Sequence, residues 1–148
     1  MRAVVTRVRS ASVEIDGEIK SSIGQGFLVL LGVHEDDGEA EAVKIADKIC
    51  GLRVFEDENG KMNLNPEAAG CPNLLIISQF TLFADCKSRR PGFSKAARPE
   101  KAIPLYEKVI SLCRERGFSV GTGEFGADML VESVNDGPVT IILDTKEL

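Results

Sequence analysis

The sequence predicts an α+β fold of one domain over residues 1–148, in which an antiparallel or mixed sheet curls into a barrel-like core beside two main helices. Three observations lead to this prediction. A chain of 148 residues is long enough to bury one hydrophobic core. Apolar residues make up 43% of the chain and charged residues 28%, the usual balance of a folded domain. Its strand-like and helix-like segments do not alternate, which argues against a parallel α/β fold.

Strands are predicted from two kinds of hydrophobic pattern. Residues 12–15 alternate between polar and apolar, as a half-buried strand does, and Asp16-Gly17 supplies a hairpin turn after them. The run 27–33 is apolar almost throughout, which is typical of a central strand covered on both faces. The remaining strands are predicted at residues 3–8, 18–20, 52–55, 73–80, 129–134 and 139–143.

Two segments carry apolar residues at helical spacing. The first begins at residues 36–38, where acidic side chains favour a helix start, and ends near Gly51. The second runs from Pro99 or Pro104 to Arg116, since proline is tolerated in the first turn of a helix. Residues 84–99, between the last of the early strands and this helix, are predicted to form an extended loop.

The composition argues against several classes of protein. No two of the four cysteines have CxxC spacing and there is one histidine, so we expect no metal site and no cofactor. The longest apolar run is too short to cross a bilayer, so no membrane association is expected. Arg2, Arg7 and Arg9 interrupt any signal sequence, which indicates a cytoplasmic protein with free, buried thiols.

Residues that commonly perform acid–base chemistry are poorly placed. His34 is a candidate base, although a solvated turn histidine is the simpler interpretation. The acids at 36–37 and 56–58 are candidates for a cation site, but acids at a helix start and a turn usually serve local structure.

A first candidate site is the segment Ser78, Gln79, Phe80 and Thr81, which puts polar side chains where a buried strand ends. Backbone N–H groups freed there are suited to hold a developing oxyanion. Alternatively, Ser78 and Thr81 satisfy local backbone groups at the strand end.

A second candidate is Gly137-Pro138, within the sequence Asn-Asp-Gly-Pro-Val-Thr at 135–140. This stiff pair, whose peptide bond adopts the cis form at modest cost, is either a hairpin turn or a rigid backbone edge that inspects a ligand.

A third candidate is the basic loop, a segment with six basic residues and one acid in a chain of net charge −5. The loop is either solvated or binds phosphates through its forked arginine donors. Its basic residues are Lys87, Arg89, Arg90, Lys95, Arg98 and Lys101.

Together these segments resemble the D-aminoacyl-tRNA deacylase family. Residues 78–82 and 135–140 are the two signatures of the family, and they occur here in the right order and separation. Further matching segments are residues 7–8, 11–13, 60–64, 90–94 and 126–129.

The resemblance implies a homodimeric enzyme that hydrolyses the ester between tRNA and a D-amino acid or glycine, with Ser78, Gln79, Phe80 and Thr81 lining the catalytic pocket. A cis Gly137-Pro138 bond would enter the partner's pocket and reject L-amino acids, so that the enzyme proofreads chirality in translation. The residues implied to support that motif and the substrate are Arg7, Met129 and Phe125. Those implied to contact tRNA are Lys87, Arg89, Arg90 and Lys95.

Two mechanisms remain open at this point. In one, the ribose 2′-OH of the substrate assists hydrolysis while backbone N–H groups near Phe80 and Thr81 hold the oxyanion. In the other, the Thr81 hydroxyl is the nucleophile. The rival functions are a non-catalytic RNA- or DNA-binding dimer and a hydrolase of small D-amino-acid esters or peptides that ignores RNA.

Overall fold

The computed structural model describes residues 1–148, and its central feature is a six-stranded mixed sheet. Two helices, α1 (Glu39–Gly51) and α2 (Pro99–Glu115), complete the fold. In chain order the strands are β1 (Arg2–Ile15), β2 (Glu18–Ile23), β3 (Gly26–Gly32), β4 (Phe55–Glu56), β5 (Met62–Leu64), β6 (Asn73–Ser78), β7 (Ser119–Thr122) and β8 (Leu130–Asp144). Strands β4 and β5 form a separate two-stranded sheet.

The long strand β1 organises the main sheet, whose order is β2-β1-β3-β6-β7 with β8 also paired to β1. The first half of β1 lies between β3 and β8, and its second half lies between β2 and β8, all antiparallel. Strand β6 runs parallel to both β3 and β7. The sheet is therefore mixed and strongly curled, and the predicted α+β fold class is confirmed.

One side chain links the free edges of β2 and β7 in the curled sheet. The Ser21 hydroxyl on β2 donates a hydrogen bond to the Thr122 carbonyl on β7 at 2.7 Å and accepts one from the Thr122 N–H at 3.2 Å. These two hydrogen bonds replace the main-chain pairing between β2 and β7 that would complete the ring of strands. The barrel is therefore nearly closed.

The helices pack on each other and on one side of the sheet, where the main core lies. Helix α1 begins at Glu39, a little later than predicted, because the Glu41 carboxylate accepts the Gly38 N–H at 2.8 Å. This hydrogen bond lowers the pKa of Glu41. Helix α2 begins at Pro99, one of its two predicted starts, and includes Pro104. Neither α1 nor α2 has the length and apolar character that a membrane-spanning helix requires.

Several predicted strand boundaries were wrong for a common reason. The strands predicted at 3–8 and 12–15 are one strand, and those predicted at 129–134 and 139–143 are also one. Both long strands contain polar stretches that resemble turns in the sequence. In the structure the pairing of the two strands instead shifts register there. The hairpin interpretation of Gly137-Pro138 is therefore wrong, since the pair lies within β8.

Three shorter segments also differ from prediction. The strand predicted at 52–55 is reduced to Phe55–Glu56, which pairs with Met62–Leu64 in a small hairpin that was not predicted. Strand β7 was missed, because four residues with two polar positions carry little periodic signal.

Candidate active site

The Ser78–Thr81 segment crosses from β6 into a 3₁₀ turn at Phe80–Phe83. The predicted strand 73–80 is thus two residues too long, since Gln79 caps the turn. Its N–H donates a hydrogen bond to the Leu31 carbonyl at 2.8 Å, which ties the start of the turn to the end of β3. Phe80 and Thr81 are the first two residues of the turn, so no carbonyl within it can accept their N–H groups.

Gly32 allows the turn to lie directly on the central strand. A Cβ atom at this position would lie 2.9 Å from the Gln79 carbonyl oxygen and 3.1 Å from the Leu82 Cβ. Packed atoms do not approach so closely, so any larger residue would push the turn away from β3.

The side chains of Phe80 and Thr81, the first two residues of the turn, are exposed, whereas Phe83 is buried. Phe80 is 52% exposed, and its ring packs edge-to-face on Phe93 with the centroids 5.0 Å apart. The Thr81 hydroxyl oxygen accepts a hydrogen bond from Gln79 Nε2 at 2.6 Å. Because a side-chain amide cannot take up a proton, this contact orients the hydroxyl without activating it as a nucleophile.

A cavity of about 610 Å³ opens beside the turn. Its walls are largely apolar, and Phe80, Phe93 and Phe125 contribute three aromatic rings. Further lining residues include Ala96, Ala97, Arg98 and Pro99, while no histidine or carboxylate lines the cavity. Such a cavity suits a flat, uncharged group held by stacking and supplies no acid–base residue.

Phe125 joins this cavity to a second, open groove. The groove has a volume of about 700 Å³ and runs along α2, with Tyr106 and Arg114 among its lining residues. It contains no residue of the Ser78–Thr81 segment, so we place the candidate active site in the smaller cavity.

Met129 does not line the smaller cavity. It packs on a minor hydrophobic cluster that includes Val8 and Ile77, the residue directly before Ser78. A Cβ atom at Gly123 would collide with the Met129 sulfur. Met129 thus lies near the end of β6, in space that Gly123 leaves free because it has no side chain.

Tyr106 supports the same strand from the other side. Its buried hydroxyl donates a hydrogen bond to the Ile76 carbonyl at 2.7 Å, and its ring lies 6.4 Å from that of Phe125. Burial disfavours the phenolate and raises the pKa of Tyr106 to about 12.

Arg7 and Gly137-Pro138 form a second group. The Gly137-Pro138 peptide bond is cis, and both residues are exposed. Arg7 is buried and donates from Nε to the Asp136 carbonyl at 3.2 Å and from Nη1 to the Val54 carbonyl at 2.6 Å. The Gly137-Pro138 motif is therefore held in place by the guanidinium of Arg7, a residue of β1.

The two groups do not meet within one chain. Neither Gly137 nor Pro138 lines the cavity of Phe80, and Arg7 lines a different cleft with Asp136. The structure brings Phe80 together with Phe125, and Arg7 together with Gly137, but it leaves these two pairs apart.

The basic loop lies next to the cavity. Within it, the segment that carries Lys87, Arg89 and Arg90 is closed at its base by mutual backbone hydrogen bonds between Asp85 and Gly92, of 2.7 and 2.9 Å. Lys87, Arg89, Arg90 and Lys95 all reach solvent, and none forms a salt bridge. Phe93, from this loop, was not predicted as a separate site residue, although one large aromatic residue among charged residues is a signal for it.

His34 is not the solvated turn residue that the sequence suggested. It is 6% exposed and packs edge-to-face on Phe83, 5.1 Å between centroids. A ring nitrogen of His34 lies within 4.8 Å of carboxylate oxygens of Glu35 and Asp36. Its Nδ1 accepts the Asp36 N–H at 3.1 Å, so the lone pair on that nitrogen is engaged by the protein.

Three of the cysteines behave as expected from the sequence. Cys50, Cys71 and Cys113 are buried and free, whereas Cys86 is exposed in the basic loop. Burial raises the pKa of the Cys71 thiol, which makes it less reactive.

Known structures share this architecture. A chain described as "c-Myc DNA Unwinding Element Binding Protein" superposes with a TM-score of 0.91 at 40% identity, covering 97% of this chain and 98% of its own. A probable eukaryotic D-amino acid tRNA deacylase has a TM-score of 0.80 at 15% identity, covering 96% of this chain and 97% of its own, which shows a common fold.

Sequence comparison defines the family. The D-aminoacyl-tRNA deacylase of Anaeromyxobacter dehalogenans (strain 2CP-C) is 55% identical over 149 residues, which covers 100% of this chain and 99% of the relative. That of Clostridioides difficile (strain 630) is 53% identical, covering 99% of each. The sequence model of the D-Tyr-tRNA(Tyr) deacylase family matches residues 4–144. The chain belongs to this family.

Proposed function

We propose that this protein hydrolyses the ester that joins a D-amino acid or glycine to the 3′ end of tRNA. Water adds to the ester carbonyl, the bond to the ribose oxygen breaks, and free amino acid and tRNA leave. The observation that carries the proposal is the 3₁₀ turn, whose Phe80 lines an aromatic cavity of about 610 Å³ and whose first two N–H groups, those of Phe80 and Thr81, have no backbone acceptor. The names of the relatives agree with this function.

The mechanism that we propose is substrate-assisted. The cavity contains no histidine or carboxylate, so the protein contributes positioning and backbone dipoles. The Phe80 and Thr81 N–H groups stabilise the oxyanion, and the neighbouring ribose 2′-OH relays a proton from the attacking water to the departing ribose oxygen. Thr81 as a nucleophile is less well supported, because its hydroxyl contacts an amide instead of a base. No step requires a metal ion.

We further propose a homodimer that completes the site. Strand β8 is 15 residues long and pairs only with β1, so its other edge is open. The same strand exposes three large apolar side chains, those of Leu130 (66%), Val134 (55%) and Ile142 (70%). Proteins rarely leave a long open edge together with exposed apolar side chains uncovered, which favours a second copy as the occupant.

The dimer gives the exposed Gly137-Pro138 pair a role. In this proposal the pair enters the partner's cavity, where its rigid backbone excludes an L side chain by steric clash. Arg7 holds the pair in place from its own chain. Glycine has no side chain to exclude, so its ester is accepted.

The contacts to the tRNA backbone are inferred from charge. Four basic side chains face solvent beside the cavity and would contact tRNA phosphates, namely Lys87, Arg89, Arg90 and Lys95. Proofreading of aminoacyl-tRNA places the enzyme in the cytoplasm, where translation occurs.

A second candidate function is binding of DNA. The structural neighbour at 40% identity bears the name of a protein that binds a DNA unwinding element, and the exposed basic loop suits any phosphate backbone. This alternative requires binding without turnover.

The test compares D- and L-tyrosyl-tRNA as substrates, each with and without a chelator. Cleavage of the D ester alone, unaffected by chelator, supports the proposal. Replacement of the terminal 2′-OH by hydrogen should abolish turnover, and full activity would exclude substrate assistance. If neither ester is cleaved while nucleic acid binds, the DNA-binding alternative replaces the enzyme.

A further inference from the structure

We propose that Arg2, paired with Asp144, is a positioning residue that holds the Phe80–Phe83 turn in its reactive place. This inference rests on the proposed function. It concerns a side chain that lies outside both family signatures and outside the cavity.

Arg2 contacts the far end of the turn in two ways. Its Nη1 donates a hydrogen bond to the Leu82 carbonyl at 2.8 Å. Its guanidinium carbon lies 4.7 Å from the centre of the Phe83 ring, within the range of a cation–π contact. Leu82 directly follows Thr81, so the hydrogen bond acts one residue from the proposed oxyanion donors.

Asp144 fixes the orientation of that guanidinium. Its Oδ2 accepts hydrogen bonds from Nε and Nη2 of Arg2, at 3.0 and 2.9 Å. Although burial opposes the charged carboxylate, the Lys146 N–H and the Arg2 guanidinium outweigh it and lower the pKa of Asp144. The pair is therefore intact at neutral pH.

The base of the Arg2 side chain is rigid as well. Arg2 pairs with Gly32 on β3 and with Asp144 on β8, so sheet lies on both sides of it. The turn thus has two main-chain anchors: Gln79 N–H to the Leu31 carbonyl at its start, and the Leu82 carbonyl to Arg2 at its end. Without the second anchor, the end of the turn is held against the sheet by packing alone, that of Leu82 on Gly32 and of Phe83 on His34.

A direct role in tRNA binding does not fit this geometry. Each guanidinium nitrogen of Arg2 already donates to a protein oxygen, and the charge is balanced by Asp144. A phosphate would have to compete with a carboxylate that is only 11% exposed.

The test measures kcat and KM for D-tyrosyl-tRNA with Arg2→Met, Arg2→Lys and Asp144→Asn. Misplacement of catalytic groups by about 1 Å costs on the order of 100-fold in rate, so we expect kcat to fall about 10- to 100-fold in Arg2→Met, with KM nearly unchanged. Arg2→Lys should have a higher kcat than Arg2→Met, because an ammonium group keeps the positive charge but lacks the forked N–H donors of a guanidinium. The double variant Arg2→Met/Asp144→Asn should be no slower than Arg2→Met.

Arg116→Met is the matched control. Arg116 forms an ion pair with Asp47 at 2.9 Å and does not line the cavity. This variant should keep kcat. Hydrogen exchange of the peptide 79–84, measured by mass spectrometry, should speed up in Arg2→Met and remain unchanged in Arg116→Met.

Three results would overturn the role. One is wild-type kcat in Arg2→Met, another is an increase in KM alone, and the third is additive effects on kcat in the double variant. Inactivity of the wild-type protein would instead overturn the proposed function and this role with it, whereas an active wild type with an equally active Arg2→Met would refute only the role of Arg2.

Discussion

A Cβ atom at Gly137 would lie 3.0 Å from Nη2 of the buried Arg7. The close approach joins the exposed Gly137-Pro138 motif to the central strand β1, since the same guanidinium donates to the Asp136 carbonyl. The motif is thus braced by a side chain that crosses from the next strand, which suits a backbone edge that must hold its shape against a ligand.

This close approach predicts that Gly137→Ala inactivates the protein. Gly137 has φ +124°, where alanine is strained, and the added methyl also meets Val139 Cγ2 at 2.9 Å. Deacylation of D-tyrosyl-tRNA should fall at least about 10-fold as the motif shifts against Arg7.

Gly17→Ala is the control for strain alone. Gly17 also has positive φ, at +81°, but nothing lies within 4 Å of its Cβ position. We expect a comparable loss of stability, about 1 kcal/mol by urea unfolding, and full activity. Equal activity in the two variants would contradict the bracing role of Arg7.

Replacement of the Thr81 hydroxyl separates the two mechanisms. If backbone N–H groups and the substrate 2′-OH perform the chemistry, Thr81→Ala should lower kcat by less than about 10³-fold. Thr81→Ser keeps the hydroxyl and serves as the matched control. A larger decrease in Thr81→Ala, with Thr81→Ser active, would favour the nucleophile.

The basic loop should control tRNA affinity with little effect on chemistry. Arg89→Ala and Arg90→Ala should each raise KM, and the removal of one phosphate-binding charge should reduce the salt dependence of binding by about one unit of slope. Lys48→Ala, an exposed lysine on α1, provides the comparison and should change neither quantity. An unaltered salt slope in all three variants would show that the loop does not bind phosphates.

Tyr106 predicts a pH dependence of stability. Its folded pKa is about 12 against an ordinary value of 10.0, so the neutral phenol is favoured in the folded state. The free energy of unfolding therefore decreases with pH in this range. The contribution of Tyr106 is complete below about pH 10 and is lost as pH rises towards 12, with a slope of about 1.4 kcal/mol per pH unit.

Tyr106→Phe removes that dependence together with the hydrogen bond to Ile76. At pH 7 the variant should be about 1–3 kcal/mol less stable, because the Ile76 carbonyl loses its partner. Urea unfolding at pH 7 and pH 10.5 measures both effects. A wild type whose stability falls no faster than that of Tyr106→Phe above pH 10 would contradict the assignment.

Much of the fold could be predicted because local patterns carry it. The apolar run at 27–33 and the helical spacing of Ala42, Ile45 and Ile49 identify β3 and α1 without any tertiary knowledge. The missed boundaries occur where a strand is irregular. Residues 135–138 look like a turn in isolation, yet eleven paired positions between β1 and β8 keep that segment in one strand.

The candidate site was recognisable in part. The Ser78–Thr81 segment and Gly137-Pro138 stand out as motifs, but no local rule says that the first ends in a 3₁₀ turn or that Gly32 must make room for it. Arg2 had no signal of its own, because its partners Leu82 and Asp144 are 80 and 142 residues away.

The class of fold, the family and the two signature segments could be predicted from the amino-acid sequence, because hydrophobic period and short motifs are properties of neighbouring residues. The folded chain was needed to show that Phe93 and Phe125 form walls around Phe80, that His34 is buried, and that Arg2 and Arg7 contact the two signatures from β1. These relationships join residues from separate segments, and they exist only after the sheet has curled and brought the segments together.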